Sequence, residues 1–133
     1  DIGRNNECIM YMWHSVPGYS KIGIYTGNGS ANGTFVNLGF KPAWIILKRT
    51  NASGNSWAII DNKRSTVNPN TKSLFSNSTS AEYTTNTAFD FLANGFKLRS
   101  NATYSNHSGS TYLYMAFAET PESTPFDTFP NAK

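Results

Sequence analysis

The chain has 133 residues, which suits one domain with a real core and is short for two. Only 14% of its residues are charged, while Asn, Ser and Thr together supply about a third; its net charge of +3 comes from scattered Lys and Arg rather than a basic tract, which argues against nucleic-acid recognition. The single cysteine, Cys8, excludes an internal disulfide, and no apolar run approaches the roughly 18 residues that cross a bilayer.

Solubility that rests on neutral polar groups suits turns, exposed strand faces and contacts with sugars or neighbouring protein, and points to an extracellular or virion surface. The chain opens on DIGRNNE without an initiator Met and is read as a processed product or a piece of a longer polypeptide.

Short apolar and aromatic runs recur between Gly, Asn, Ser and Pro, with no sustained apolar period of 3.6. The expected fold is therefore all-β, an antiparallel β-sandwich of jelly-roll or lectin-like type. In chain order the strands are predicted at Ile9 to His14, Lys21 to Tyr25, Phe35 to Leu38, Ala43 to Arg49, Trp57 to Asp61, Ser73 to Phe75, Ala88 to Leu92, Phe96 to Arg99 and Thr111 to Glu119. A helical turn is placed at Ser80 to Tyr83. The core is expected to hold Trp44, Ile46, Ile59, Phe91, Met115 and Phe117.

The segment AWIILKRTNASGNSWAII reads as a hairpin. Pairing Thr50 with Ser56 puts Ile45, Leu47, Arg49, Trp57 and Ile59 on one face and Trp44, Ile46, Lys48, Ala58 and Ile60 on the other. Both faces are then apolar, which predicts a strand pair covered on both sides. That register also sets Arg49 beside Trp57 for a cation-π contact, and keeps Lys48-Arg49 and Lys63-Arg64 at opposite ends of the hairpin.

Two echoes run through the chain: NLGFKPAW with ANGFKLRS, and IMYMWHS with YLYMAFA, the latter placing Tyr11-Met12 and Tyr114-Met115 at equivalent strand positions. Beyond Glu119, TPESTPFDTFPNAK carries three prolines that bar a central strand. The division is thus a β-domain over 1–119 and an arm or linker over 120–133, with Phe126 and Phe129 as docking side chains.

Candidate chemistry is sparse. On one extended strand Cys8 and His14 stand about 20 Å apart, far beyond the reach of a nucleophile and its base, and His107 lies in a turn-like SNHSG. A glycosidase needs two converging carboxylates, for which Asp61, Glu82, Asp90 and Glu119 are the candidates. Two His and one Cys give no zinc spacing and there is no calcium-binding loop, so neither metal nor cofactor is expected. TGNGSANG is followed by no Lys-Ser/Thr and no helix, so it reads as a loop at a sheet end. Asn-x-Ser/Thr sequons at Asn28, Asn32, Asn51, Asn77, Asn101 and Asn106 mark further loops. Tyrosines and Asn-rich loops favour binding over catalysis, and the ligand-contacting candidates are Tyr19, Tyr25, Tyr83, Tyr104, Asn28 and Asn32, with Tyr112 and Tyr114 as further exposed aromatics.

The ordered set WHSVPGYSKIGIYTGNGS, GFKPAWIILKRT, WAIIDNKRST, AFDFLANGFKLR and YLYMAFAE resembles an uncharacterised β-rich domain of bacteriophage tail-fibre-like and virion structural proteins, especially of marine phages, often found after a concanavalin-like lectin domain. The resemblance covers residues 8 to 120. It implies a non-enzymatic module at the virion surface, part of a fibre, spike or decoration protein, that engages host glycans, other virion subunits or further copies of itself. It carries no catalytic residues to transfer. The rival expectations are a polysaccharide-degrading enzyme using Asp61, Glu82 or Asp90, and a purely architectural oligomerisation unit.

Overall fold

Where apolar residues alternate with polar or smaller ones, successive side chains fall on opposite faces and the chain forms strands. The computed structural model describes residues 10–84, 86 and 88–120. Its strands are β1 (Ser20–Thr26), β2 (Phe35–Asn37), β3 (Pro42–Arg49), β4 (Ala58–Asp61), β5 (Leu74–Phe75), β6 (Phe89–Leu92), β7 (Gly95–Leu98) and β8 (Thr111–Ala118). They make a five-stranded sheet in the order β1-β8-β3-β4-β5 and a three-stranded sheet in the order β2-β7-β6, all pairs antiparallel. The fold is all-β, two antiparallel sheets forming a sandwich. Pairing β1 with β8 in one sheet and β2 with β7 in the other gives the nested wrap of a jelly roll; β3, β4 and β5 then stay in the first sheet as a meander.

The core lies between the sheets. The larger sheet contributes Tyr25, Ile45, Leu47, Ala58, Ile60, Tyr112, Tyr114 and Ala116, and the smaller one Val36, Phe89, Phe91, Phe96 and Leu98. Side chains such as Ile45, Leu47 and Ile60, withdrawn completely from water, each contribute about 1.5 to 3 kcal/mol. At the centre Tyr25 stacks on Tyr112 with ring centroids 5.1 Å apart, and Phe96 meets Tyr25 and Tyr114 edge-on at 6.0 and 5.8 Å. The buried phenols keep partners: Tyr25 donates to the Ser105 carbonyl at 2.6 Å and Tyr112 to that of Thr103 at 2.7 Å, so neither pays for an unmade hydrogen bond.

Loops at one end are joined through a buried amide. Asn106 Nδ2 donates to the Ser30 and Ser100 carbonyls at 2.9 and 2.8 Å and to Asn28 Oδ1 at 3.1 Å, while Asn106 Oδ1 accepts from the Asn28 amide at 3.0 Å. TGNGSANG and SNHSG are therefore one structure.

The structure corrects several expectations. The hairpin forms, with Gly54 in the loop at φ 77°, but its register is shifted by one residue: Trp44 faces Asp61, Ile45 faces Ile60, Ile46 faces Ile59 and Leu47 faces Ala58. A one-residue shift exchanges the faces of a strand, so Ala58 and Ile60 join Ile45 and Leu47 inside, while Ile59 and Trp57 turn outward. Of the expected core only Phe91 is buried; Trp44, Ile46, Ile59, Met115 and Phe117 lie half-buried on the outer face. The shift also replaces the Arg49–Trp57 contact by Lys48, whose Nζ stands 5.8 Å from the Trp57 ring centroid; Arg49 Nε instead reaches Asn51 Oδ1 at 3.3 Å.

Residues 10–14, part of the strand predicted at Ile9 to His14, form no strand. At the neighbouring edge of β1, Ser15 Oγ accepts from the Ile22 amide at 3.0 Å, taking a hydrogen bond that a partner strand would need. Tyr11-Met12 and Tyr114-Met115 are thus not equivalent. Ser80 to Tyr83 is not helical, and Tyr83 bridges Ser73 through reciprocal backbone bonds of 2.9 Å. In the other echo only the leading ends of the two segments meet, Asn37 pairing with Gly95 and the Leu38 and Gly39 amides donating to the Asn94 carbonyl, before Pro42–Trp44 enter β3 of the other sheet. Cys8, Phe126 and Phe129 lie outside the described residues.

Candidate functional site

The outward side chains of the five-stranded sheet are apolar where a solvated sheet face would be polar. Cross-strand partners share a face, and the registers set Ile22, Met115, Ile46, Ile59 and Leu74 in one row that crosses all five strands. On one side of it run Ile24, Leu113 and Lys48; on the other, Phe117, Trp44 and Asp61. Tyr19 meets Phe117 edge-on at 5.9 Å, and Trp44 lies 5.7 Å from Phe117.

A groove of about 590 Å³ opens on this face, lined by Trp13, Trp44, Ile46, Trp57, Leu113 and Met115, with Ser76 and Asn77 at its rim. All three tryptophans of the chain therefore meet in one place. Trp13 arrives from the segment before β1, where Tyr11 stacks on it at 5.8 Å. Trp57 is held by its amide, which donates to Asn77 Oδ1 at 2.9 Å, and Lys48, lying over the Trp57 ring, is anchored by donating to the Asn55 carbonyl. Trp13 is 56% exposed and Ile24 69%. A face this apolar and this open offers stacking and hydrophobic burial with few hydrogen bonds.

The residues singled out from the sequence are scattered. Tyr25 and Tyr104 are buried core rings, although Tyr104 still borders a surface pocket. Tyr25, Tyr112 and Tyr114 have phenols raised above the usual tyrosine range by burial. Tyr83 is half-buried, packed 5.5 Å from Phe75 and 6.1 Å from Tyr104; with Asn86, Asn101 and Thr103 these two tyrosines line a shallow pocket of about 330 Å³. Tyr19 is exposed at the margin of the outer face. Asn28 and Asn32 share the loop after β1, where Asn28 Nδ2 donates to the Asn32 carbonyl at 3.0 Å and Asn28 Oδ1 accepts from the Ser30 amide.

Each candidate carboxylate has a cation beside it. Asp61 pairs with Arg64 at 2.5 Å, Glu82 with Lys72 at 3.3 Å, Asp90 with Arg99 at 3.3 Å and Glu119 with Lys41 at 2.7 Å. Burial pushes the Asp61 carboxyl up, but hydrogen bonds from the Arg64 amide and guanidinium and the Lys63 amide, with the Arg64 charge, outweigh it and hold the group below the usual carboxylate range. Asp61 thus caps the turn after β4. A polar cleft of about 220 Å³ between Lys41, Asn62, Lys63, Thr66 and Phe91 contains Glu119 alone of the four. His14 is exposed, and His107 Nδ1 lies 3.0 Å from the Ser108 carbonyl and 3.2 Å from Ser110 Oγ. Among the described residues no three His, Cys, Asp or Glu side chains come together.

Sequence reasoning missed the tryptophan face because it placed Trp44 and Met115 in the core. The signal was present in β3 and β8, where apolar residues occupy both parities: one set fills the core and the other must lie outside.

No curated protein and no solved structure matches this chain. A family model described as a domain of unknown function, DUF7483, matches residues 2–121. Spanning nearly all of the sequence, that match makes the chain a member of the DUF7483 family.

Proposed function

We propose that the domain is a non-enzymatic assembly module of a virion surface protein, of the fibre, spike or decoration kind, and that the outer face of its five-stranded sheet is where it joins another protein subunit. The observation that carries this reading is the apolar row across all five strands, with three tryptophans around one open groove. Exposed apolar patches larger than a few hundred Å² mark interaction sites, and aromatic residues and Met are enriched at interfaces. The resemblance of the ordered segments to phage structural proteins supplies the virion setting. The ion-paired carboxylates favour a binding role over a hydrolytic one.

Radical footprinting of the free chain and of the assembled particle that carries it tests the reading. Trp13, Trp44 and Trp57 are expected to oxidise in the dilute free chain and at least fivefold less in the particle; equal oxidation in both overturns it. Release of reducing ends from host polysaccharide, abolished by Asp61→Asn, Glu82→Gln or Asp90→Asn, would establish the enzymatic alternative instead.

A second reading, glycan attachment, is favoured by the pocket that brings Tyr83 and Tyr104 beside Asn86 and Asn101, an aromatic edge with amide hydrogen-bonding groups. Glycan-array binding lost in Tyr83→Ala and kept in Trp57→Ala supports that use of the pocket, and a blank array removes it.

A further inference from the structure

We infer that the outer face is covered by the same face of a second copy of this chain, packed sheet on sheet; the inference rests on the assembly reading above and names its partner. Size is the first argument. Trp13, Ile24, Trp57 and Leu74, placed on the face by the groove lining and the registers, are 56, 69, 37 and 38% exposed. With the half-buried remainder of the face they present roughly 800 Å² of apolar surface, taking 150–250 Å² for a whole aromatic side chain, which is what each partner gives to a stable dimer.

Charge is the second. An isologous contact lays the same patch of both copies together, so a face crowded with like charge cannot pair with itself. Here Lys48 is the cation on the face, and Asp61 at its margin is neutralised by Arg64. A two-fold axis along the Ile22–Leu74 row lays that row on itself and turns the Lys48 end of one copy toward the Trp44 and Asp61 end of the other, keeping the two ammonium groups apart.

Shape is the third. Packed sheets stand about 10 Å apart with interdigitated side chains. The groove between the indoles, about 590 Å³, is space that this copy leaves open and that large side chains of a second copy fill.

Sedimentation of the 133-residue chain from micromolar to millimolar concentration tests the inference. Twice the 14.7 kDa monomer mass is expected, with a concentration-dependent blue shift of the emission from the three groove tryptophans. Ile24→Lys combined with Leu74→Lys, both at exposed positions, is expected to weaken association at least tenfold and leave the thermal transition in place. A monomer throughout the range, or a dimer indifferent to the double variant, overturns the inference. So does a monomer whose emission shifts to the red when residues 1–9 are removed, which would make the occupant the chain's own leading segment. A monomer whose tryptophans are nonetheless protected in the particle overturns self-pairing alone and leaves the assembly reading standing. Equal oxidation in chain and particle removes that reading whatever the sedimentation shows.

Discussion

Ile46 stands in the outer row between Met115 on β8 and Ile59 on β4, and its neighbours in sequence, Ile45 and Leu47, point the other way into the core. Adjacent aliphatic residues of one strand thus do different work, one set stabilising the fold and the other available to a partner.

That division can be measured residue by residue. Leu47→Ala and Ile60→Ala, each removing a fully buried side chain, are expected to cost about 2 to 5 kcal/mol in urea unfolding, whereas Ile59→Ala on the half-buried outer face is expected to cost about 1. Equal losses at positions 59 and 60 would contradict the register.

Asn106→Ala removes the donor to the Ser30 and Ser100 carbonyls and the acceptor for the Asn28 amide. Each buried group left without a partner costs about 1 to 3 kcal/mol, so a loss of about 3 kcal/mol or more is expected. Hydrogen exchange should quicken at the Asn28 amide, leaving the β3–β8 ladder slow.

Asp61 links stability to acid. Its carboxyl, held below the usual value of 3.8 by Arg64 and Lys63, contributes stability that is fully present above that pH and is lost as pH falls through the lower folded value. Asp61→Asn should therefore lower the melting temperature at neutral pH, and the gap to the wild type should close below about pH 4. A gap that persists at low pH would mean that the substituted amide fails for lack of shape and not of charge.

Tyr25 links stability to base. Burial, then the nearby Tyr112 and Tyr104, raises its phenol well above 10.0, so the protonated form belongs to the fold. The contribution is whole below pH 10 and declines as pH rises beyond it. Phenolate absorbance from Tyr25 should appear only as the fold is lost, and Tyr25→Phe should move the alkaline transition upward while costing about 1 kcal/mol at neutral pH for the bond to Ser105.

The sequence made the strand content legible because Val, Ile, Tyr and Trp in short runs between turn residues have few other uses. Register was not legible in AWIILKRTNASGNSWAII, since both faces are apolar and hydrophobic alternation cannot choose between them. The choice is made by one contact from beyond the hairpin, where Asn77 Oδ1 accepts from the Trp57 amide, and one across its loop, where Lys48 donates to the Asn55 carbonyl; the ladder closes at Leu47 and Ala58. IMYMWHS looked like a strand for its composition, but a strand also needs a free edge, and Ser15 bonds to the edge of β1. Tyr25 looked like a ligand contact because a phenol suits both a sugar and a core, and only the fold shows that its ring is enclosed. The tryptophan face needed three segments far apart in sequence to be brought together.

Asn106 also bears on how the protein can be made. Asn106-His107-Ser108 is an acceptor for N-linked glycosylation, yet its amide nitrogen is enclosed and bonded to Asn28, Ser30 and Ser100. A glycan added there to the nascent chain would occupy the nitrogen before the two loops could meet. Secretory expression is therefore expected to yield a fraction that carries sugar at Asn106 and does not fold, and Ser108→Ala, which removes that acceptor site and leaves Asn106 in place, should abolish that fraction.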